Sequence, residues 1–269
     1  MKKLLKRKLL HYYLKLADKI KDQAFAEILF LKLLGIMNYG KGGDFRASGE
    51  HFVIEYIKNF YNTKNNLVIF DVGANVGNYT KYLANIFGNN VQIFSFEPSN
   101  DTYQKLIENT KNIENVSLHN FGFSDLESEK KLYSTEMYSG LSSIYNRKLD
   151  HFNLSLSRSE VISLSTIDRF CIANNIEHIH FLKLDIEGHE LFALNGASKM
   201  LSNLKIDFIQ FEFGGCNIDS RTFFQDFYYL LKEKYKLYRI LANGICEITS
   251  YKETYEIFIT VNYLAIRKF

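Results

Sequence analysis

Proline occurs once in the 269 residues, at position 98, and cysteine three times, at 171, 216 and 246. The cysteines are odd in number and widely spaced, with no C-x-x-C and no histidine at zinc spacing. Neither a disulfide frame nor a structural metal is therefore expected, and a reducing cytoplasm is the expected compartment. Long hydrophobic runs are also missing. The longest apolar segment, 24–37, is too short to span a bilayer and is interrupted by Glu27 and Lys32. MKKLLKRKLL at the start has the charge of a secretory leader, but Lys6, Arg7 and Lys8 break its apolar run and no cleavage site follows. Net positive charge is confined to the first 21 residues. These hold eight Lys/Arg against Asp18, a net of +7, which leaves about −4 of the formal +3 for the rest. A body of that charge argues against a nucleic-acid substrate.

The chain is organised around LVIFDVGANVGNYT, Leu67 to Thr80. An apolar β-branched run ends in Asp71, passes through a glycine turn and opens a helical pattern at Asn78, which reads as strand, tight turn and helix. Gly73 and Gly77 remove Cβ where a ligand would approach the main chain and the free N–H groups of the next helix. The dinucleotide fingerprint G-x-G-x-x-G is not met: Asn75 stands where the middle glycine belongs, and Gly77 arrives one residue early. A pyrophosphate cradle is thus disfavoured. The next apolar run, Val91 to Phe96, ends in Glu97 and is stopped by Pro98. A carboxylate at that strand tip accepts two hydrogen bonds from a ribose diol, each worth about 1.5–3 kcal/mol. An adenosine-type ligand without a diphosphate fits best, with Asp71, Gly73, Asn75, Gly77, Asn78 and Glu97 as candidate cofactor residues.

Residues 1–48 read as a basic amphipathic helical extension and linker, and 49–269 as one α/β domain. Leu5, Leu9, Tyr12, Leu16, Ile20, Ile28 and Leu31 fall at helical intervals. That face is expected to pack on the body or on a second copy, as in a homodimer; the alternative is attraction to an anionic membrane surface. Strands at 67–72, 91–96 and 116–120 alternate with helices at 78–87 and 100–110, which predicts right-handed crossovers and a parallel sheet. The rhythm breaks over about 125–163, where a flap with short strands is expected above the crevice; in it Ser142 and Arg147 are candidate acceptor contacts. A helix over 165–175, a strand at 181–184, a helix over 190–202, a strand at 208–213, a helix over 221–234 and strands near 236–241 and 256–266 complete the pattern.

DVGANVGNYT (Asp71 to Thr80), FEP around Glu97, SD at Ser124 and Asp125, and FLKLDIEGHELFALNGA (Phe181 to Ala197) together resemble the FkbM family of S-adenosyl-L-methionine-dependent methyltransferases. The resemblance covers roughly residues 66 to 215. It implies a class I methyltransferase fold: a Rossmann-like, seven-stranded, mostly parallel sheet with helices on both faces and an antiparallel final strand. It also implies methyl transfer to a hydroxyl of a sugar, nucleotide sugar or glycan, and lifts Ser124 and Asp125 to candidate contacts at an adenine edge. Lipid-linked glycan assembly would place the protein at the inner face of a membrane.

LDIEGHE crowds Asp185, Glu187, His189 and Glu190 at a strand end, where like charges need a partner such as a sulfonium. A hydroxyl is a poor nucleophile at neutral pH, and a base contributes typically about 10²–10⁴-fold. Asp185 is the first choice for the group near the methyl donor. His189 is second, its unperturbed pKa of about 6.5 suiting proton removal, and Glu187 binds the acceptor or orients one of these. Gly188 serves the turn, Glu190 the helix dipole, and Lys183 an ion pair. Glu212, near the end of DFIQFEF, is a candidate for an acceptor hydroxyl. No ligand spacing is diagnostic of a metal and none is assigned. Two other readings stay open: an NAD-dependent nucleotide-sugar enzyme, and a catalytically silent cofactor-binding subunit of a glycan-synthesis complex.

Overall fold

The computed structural model describes residues 21–42, 45–62, 66–135 and 140–269. The amphipathic pattern expected over residues 3–20 lies outside them. In chain order the strands are β1 (Leu67–Val72), β2 (Val91–Phe96), β3 (Val116–His119), β4 (Gly122–Phe123), β5 (Ser128–Ser134), β6 (Arg158–Ser165), β7 (Ile179–Leu184), β8 (Ile206–Phe213), β9 (Tyr235–Leu241), β10 (Gly244–Ile248) and β11 (Val261–Arg267). The main sheet runs β10-β9-β11-β8-β7-β1-β2-β3. Its β3-β2-β1-β7-β8 half is parallel, and β11 lies antiparallel between β8 and β9.

Eight strands replace the seven expected. The extra one, β10, folds back on β9 so that Gly244 faces Leu241 across a two-residue turn. Its short, half-polar GICEI carries too little alternation to register as a strand.

Helices cover both faces: α1 (Gln23–Ile36), α2 (Glu50–Tyr61), α3 (Asn78–Phe87), α4 (Asn100–Thr110), α5 (Ile167–Ala173), α6 (Glu190–Asn195), α7 (Ser198–Ser202), α8 (Cys216–Ser220) and α9 (Phe224–Leu231). Period-two alternation divides the core. Phe70, Leu182, Ile209 and Ala265 belong to one cluster, and Ile69, Phe181, Phe208 and Leu264 to the other, beneath α2 and α3. The helix expected over 190–202 is divided at Gly196, where a Cβ would overlap the carbonyl oxygen of Ser124. The segment expected as one helix over 221–234 begins only at Phe224, because Asp226 accepts the Phe223 N–H at 2.9 Å.

The flap carries short strands. β5 pairs antiparallel with β6, and β4 parallel with β6, in a separate three-stranded sheet around Leu132, Ile162 and Leu164. Around the expected linker the chain is pinned: Asn38 Nδ2 donates to the carbonyls of Ser48 (2.7 Å) and Ile240 (3.2 Å), and Gly40 N–H to that of Thr260 (2.7 Å). Leu34 of α1 joins the core, whereas Ile28 and Leu31, expected to pack on the body or on a second copy, do not pack on the body. Among the described residues no helix is long and apolar enough to cross a membrane.

Candidate active site

The tips of β1, β2 and β7 border a narrow cleft walled on its other side by the small sheet, with Glu97, Phe123, Ile162 and Asp185 on its lining. The Glu97 carboxylate is held by two main-chain donors, Asn75 N–H on Oε2 at 3.0 Å and Ser99 N–H on Oε1 at 2.9 Å. Each oxygen keeps a second lone pair for a ligand hydroxyl. Burial pushes the pKa of this group up to about 7, against the pull of those two N–H groups. Asn75 lines the same wall in a left-handed conformation, φ +49°.

The two glycines have different work from that expected of them. At Gly73, φ +82°, a Cβ would overlap the carbonyl oxygen of Asp185; at Gly77, φ +85°, it would stand 2.7 Å from Leu106 Cδ1. Both permit close strand and helix contacts. Gly73 still borders the cleft, but Gly77 does not. Asn78, on the exposed start of α3, does not line it either.

Asp71 is fully buried beneath α3 and accepts the Thr80 hydroxyl at 2.7 Å, so it braces the turn instead of meeting a cofactor. Ser124 and Asp125 also lie off the cleft wall: Ser124 is buried behind His189, and Asp125 faces outward. Of this segment, Gly122 and Phe123 line the cleft. A motif shows which positions stand together, not which way successive side chains point.

Behind the cleft opens a chamber of about 1030 Å³. Gly73, Asn75, Gly140, Asp185 and Glu187 line both spaces, so the two carboxylates stand at the passage between them. Asp185 Oδ2 pairs with Lys183 Nζ at 3.0 Å, and the lysine is buried over the ring of Tyr79. Burial alone would lower the pKa of Lys183, but Asp185, Asp71 and Glu50 raise it, and the ammonium stays charged. Glu187 sits at φ +52° with Oε2 2.5 Å from Arg147 Nη1. Its carboxyl is raised by burial and by Asp185, which outweigh the guanidinium. The turn is held by Glu190, whose carboxylate accepts the N–H groups of Ile186 (2.9 Å) and Gly188 (3.0 Å). Glu190 thus caps a loop more than it serves a dipole, and burial lifts it to about 7.

Ser142 lines the cleft and Arg147 the chamber, so the flap does reach the site. Glu212 lines the chamber, raised well above an ordinary carboxyl by burial and then by Asp185, Glu187 and Glu190. It meets Glu187 and Cys216, all three ligand atoms lying within 4.8 Å of one another. Cys216 was legible only as an isolated cysteine, since its approach depends on Gly188, where a Cβ would stand 2.8 Å from the Cys216 carbonyl oxygen.

His189 is not a free base. Its Nδ1 meets the Tyr145 hydroxyl at 2.9 Å and its Nε2 the Ser124 hydroxyl at 2.9 Å, while the ring stacks on Phe192. Burial lowers its pKa to about 4. One nitrogen donates and the other accepts, which leaves neither for an acceptor's proton.

A parallel half-sheet with an acid at the second strand tip, an antiparallel strand slotted between β8 and β9, and an acid cluster at the β7 tip define the class I methyltransferase arrangement. The Methyltransferase FkbM domain matches residues 71–240. The chain belongs to the FkbM methyltransferase family, and its domain is of the S-adenosyl-L-methionine-dependent kind.

Among curated proteins it is similar to the hexuronic acid methyltransferase AglP of Haloferax volcanii, 23% identical over 148 residues, 55% of this chain and 56% of that protein. The match therefore spans little more than half of that relative. Solved structures similar to it include a SAM-dependent methyltransferase from Aquifex aeolicus, with 12% identity, TM-score 0.41 and coverage of 85% of this chain and 95% of that one. Another is a SAM-dependent O-methyltransferase from Thermotoga maritima, with 12% identity, TM-score 0.38 and coverage of 80% and 64%.

The site's own residues fit the cofactor. Glu97 offers acceptor lone pairs that suit a ribose diol, Asn75 lies beside it, and Asp185 lines the same cleft with a carboxylate that suits a sulfonium or an amino group.

Proposed function

We propose that the protein is an O-methyltransferase that acts on a hydroxyl of a sugar, nucleotide sugar or glycan. The observation that carries this reading is the placement of Asp185 and Glu187 on the wall of both the cleft and the chamber. S-adenosylmethionine, when bound, supplies an electrophilic methyl group on sulfur. Glu97 and Asn75 hold the nucleoside end, with Gly73 bordering it. Asp185, fixed by Lys183, takes the proton from the acceptor hydroxyl. Glu187, fixed by Arg147, and Glu212 orient that hydroxyl in the chamber. Holding the reacting atoms in line accounts for most of the rate, so rigid carboxylates suit the task.

Two features support a sugar acceptor with an anionic group. Lys148 and Arg221 line the chamber, and the relative AglP is a hexuronic acid methyltransferase. The test is transfer of labelled methyl from S-adenosylmethionine to a panel of nucleotide sugars, uronic acids among them. Label is expected on a sugar oxygen with wild type and not with Asp185→Ala. Label on nitrogen, or none on any sugar, contradicts the reading.

Contact with an anionic membrane surface is supported by the basic first 21 residues and by the exposed apolar residues Phe25, Ile28 and Leu31 of α1. Flotation with anionic liposomes that is lost in high salt is the expected result; no flotation contradicts it.

A further inference from the structure

We infer that Glu187, Glu212 and Cys216 form a binding site for one divalent ion of the zinc class on the floor of the acceptor chamber. The three come from separate elements, the turn after β7, the end of β8 and the start of α8, yet one ligand atom from each lies within 4.8 Å of the other two. No spacing in the sequence announces such a set; the fold assembles it.

The convergence is built rather than incidental. Cys216 approaches the β7 turn only because residue 188 lacks a Cβ. Its segment is fastened by Asn217, which accepts the Gly214 N–H at 2.8 Å and donates to Thr222 Oγ1 at 2.8 Å. The Cys216 thiol has a 3.5 Å contact with Asn217 Oδ1.

Glu212 supplies the second, independent observation. It is only 9% exposed and faces the chamber, and among the described residues its carboxylate has no hydrogen-bond or ion-pair partner. A buried carboxylate without a partner is expensive, and a cation on that side of the chamber relieves it. The fixed cations nearby are committed elsewhere: Lys183 to Asp185 at 3.0 Å, and Arg147 to Glu187 Oε2 at 2.5 Å. Arg147 leaves Oε1 of Glu187 for an ion and orients the carboxylate from outside the coordination sphere.

The donor set selects the ion. One thiolate and two carboxylates suit zinc better than magnesium or calcium, and three protein ligands leave a position open toward the chamber. An alcohol oxygen in that position becomes more acidic. The ion's part in catalysis rests on the acceptor reading above, whereas its binding does not.

The other grouping of potential ligands, His178, His180 and Asp207 at the opposite end of the sheet, is already satisfied. Asp207 pairs with Arg267 Nε at 2.8 Å, Tyr61 at 2.5 Å and His178 at 2.8 Å, and His180 Nδ1 accepts the Val68 N–H at 2.8 Å.

The test is equilibrium dialysis of the full chain against Zn²⁺, and then Co²⁺, with metal content and the thiolate-to-cobalt charge-transfer band as readouts. One ion per chain is expected, retained in His178→Ala and Cys246→Ser. Glu212→Gln is expected to weaken it at least about tenfold, and Cys216→Ser to abolish the band. Unchanged S-adenosylhomocysteine binding by Cys216→Ser shows that the variant is folded. Absence of saturable Zn²⁺ binding, or a band that survives Cys216→Ser, overturns the inference. Binding lost only in His178→Ala overturns it as well. Metal bound without activity on any sugar would leave this site standing and count against the acceptor reading alone.

Discussion

Lys183 and Asp185 form a 3.0 Å ion pair whose two ends live in different surroundings: the lysine side chain is 4% exposed and the aspartate 40%. Lys183 lies in β7 and Asp185 just past its end, with the ammonium rooted under α3 and the carboxylate in the passage between cleft and chamber. Asp185 is thereby held still and also reachable.

Removal of that carboxylate acts on chemistry more than on binding. Asp185→Asn is expected to lower turnover by about 10²–10⁴-fold, the usual contribution of a positioned base. S-adenosylhomocysteine affinity should change by less than about one factor of ten, or 1.4 kcal/mol. Lys183 retains Asp71 at 3.8 Å, so the variant folds. Turnover near wild type would remove Asp185 from the reaction.

The hydroxyls on both sides of His189 make it a positioning residue. His189→Leu leaves the Tyr145 and Ser124 hydroxyls each short of a partner, a loss of about 1–3 kcal/mol. A melting midpoint lower by roughly 2–10 °C follows for a chain of this size. Turnover at the permissive temperature should fall less than about tenfold, with an unchanged pH profile, against the 10²-fold or more of a lost base. A displaced pH profile would return His189 to proton transfer.

Much of the architecture was legible because its signals are local. β1, β2 and α3 match their expected limits, each set by a run of apolar residues and a residue that stops it. The strand-tip acids Glu97 and Asp185 follow from position alone. What was not legible depends on contacts distant in sequence. Asp71 reads like Glu97 as a strand-end acid, yet it lies within the sheet, in register with Lys183, and takes its hydrogen bond from Thr80. His189 reads as a rim base until Tyr145 and Ser124, 44 and 65 residues away, close over both nitrogens. Cys216 carries no motif at all, and only the glycine at 188 discloses what it faces.

Two buried acids make the free protein sensitive to pH. Glu97 and Glu190 are raised from an ordinary carboxyl to about 7, so the folded state holds their protons more tightly than the unfolded chain does. Their contribution to stability is complete below about pH 4.5 and lost as pH rises through about 7. His189, lowered to about 4, works the other way and gives its share above about pH 6.5, losing it toward pH 4. Between pH 6 and pH 8 these acids outweigh His189, and Glu187, raised in the same direction by burial and by Asp185, adds to the loss. The free protein is expected to lose about 2 kcal/mol or more over that interval, read as a lower midpoint at pH 8 by scanning calorimetry. A midpoint that rises with pH over the same interval contradicts the assignment.

Gly77 tests the packing role given to the second glycine of the turn. Alanine there meets Leu106 Cδ1 at 2.7 Å in a left-handed backbone. A destabilisation of about 1–3 kcal/mol is expected, with ligand affinity at low temperature close to wild type because residue 77 does not line the cleft. Loss of binding without loss of stability would restore the direct ligand role.

We propose that the cleft beside Glu97 holds the adenosyl end of S-adenosylmethionine. The most direct measurement is a thermal shift of the purified protein with S-adenosylmethionine, S-adenosylhomocysteine and NAD, repeated on Glu97→Ala. Ligand at a hundred times its dissociation constant stabilises by about 2.7 kcal/mol, a rise of roughly 5–10 °C here. The expected result is a rise with the first two ligands, absent in the variant. A rise with NAD alone, or one that Glu97→Ala leaves intact, would contradict the account.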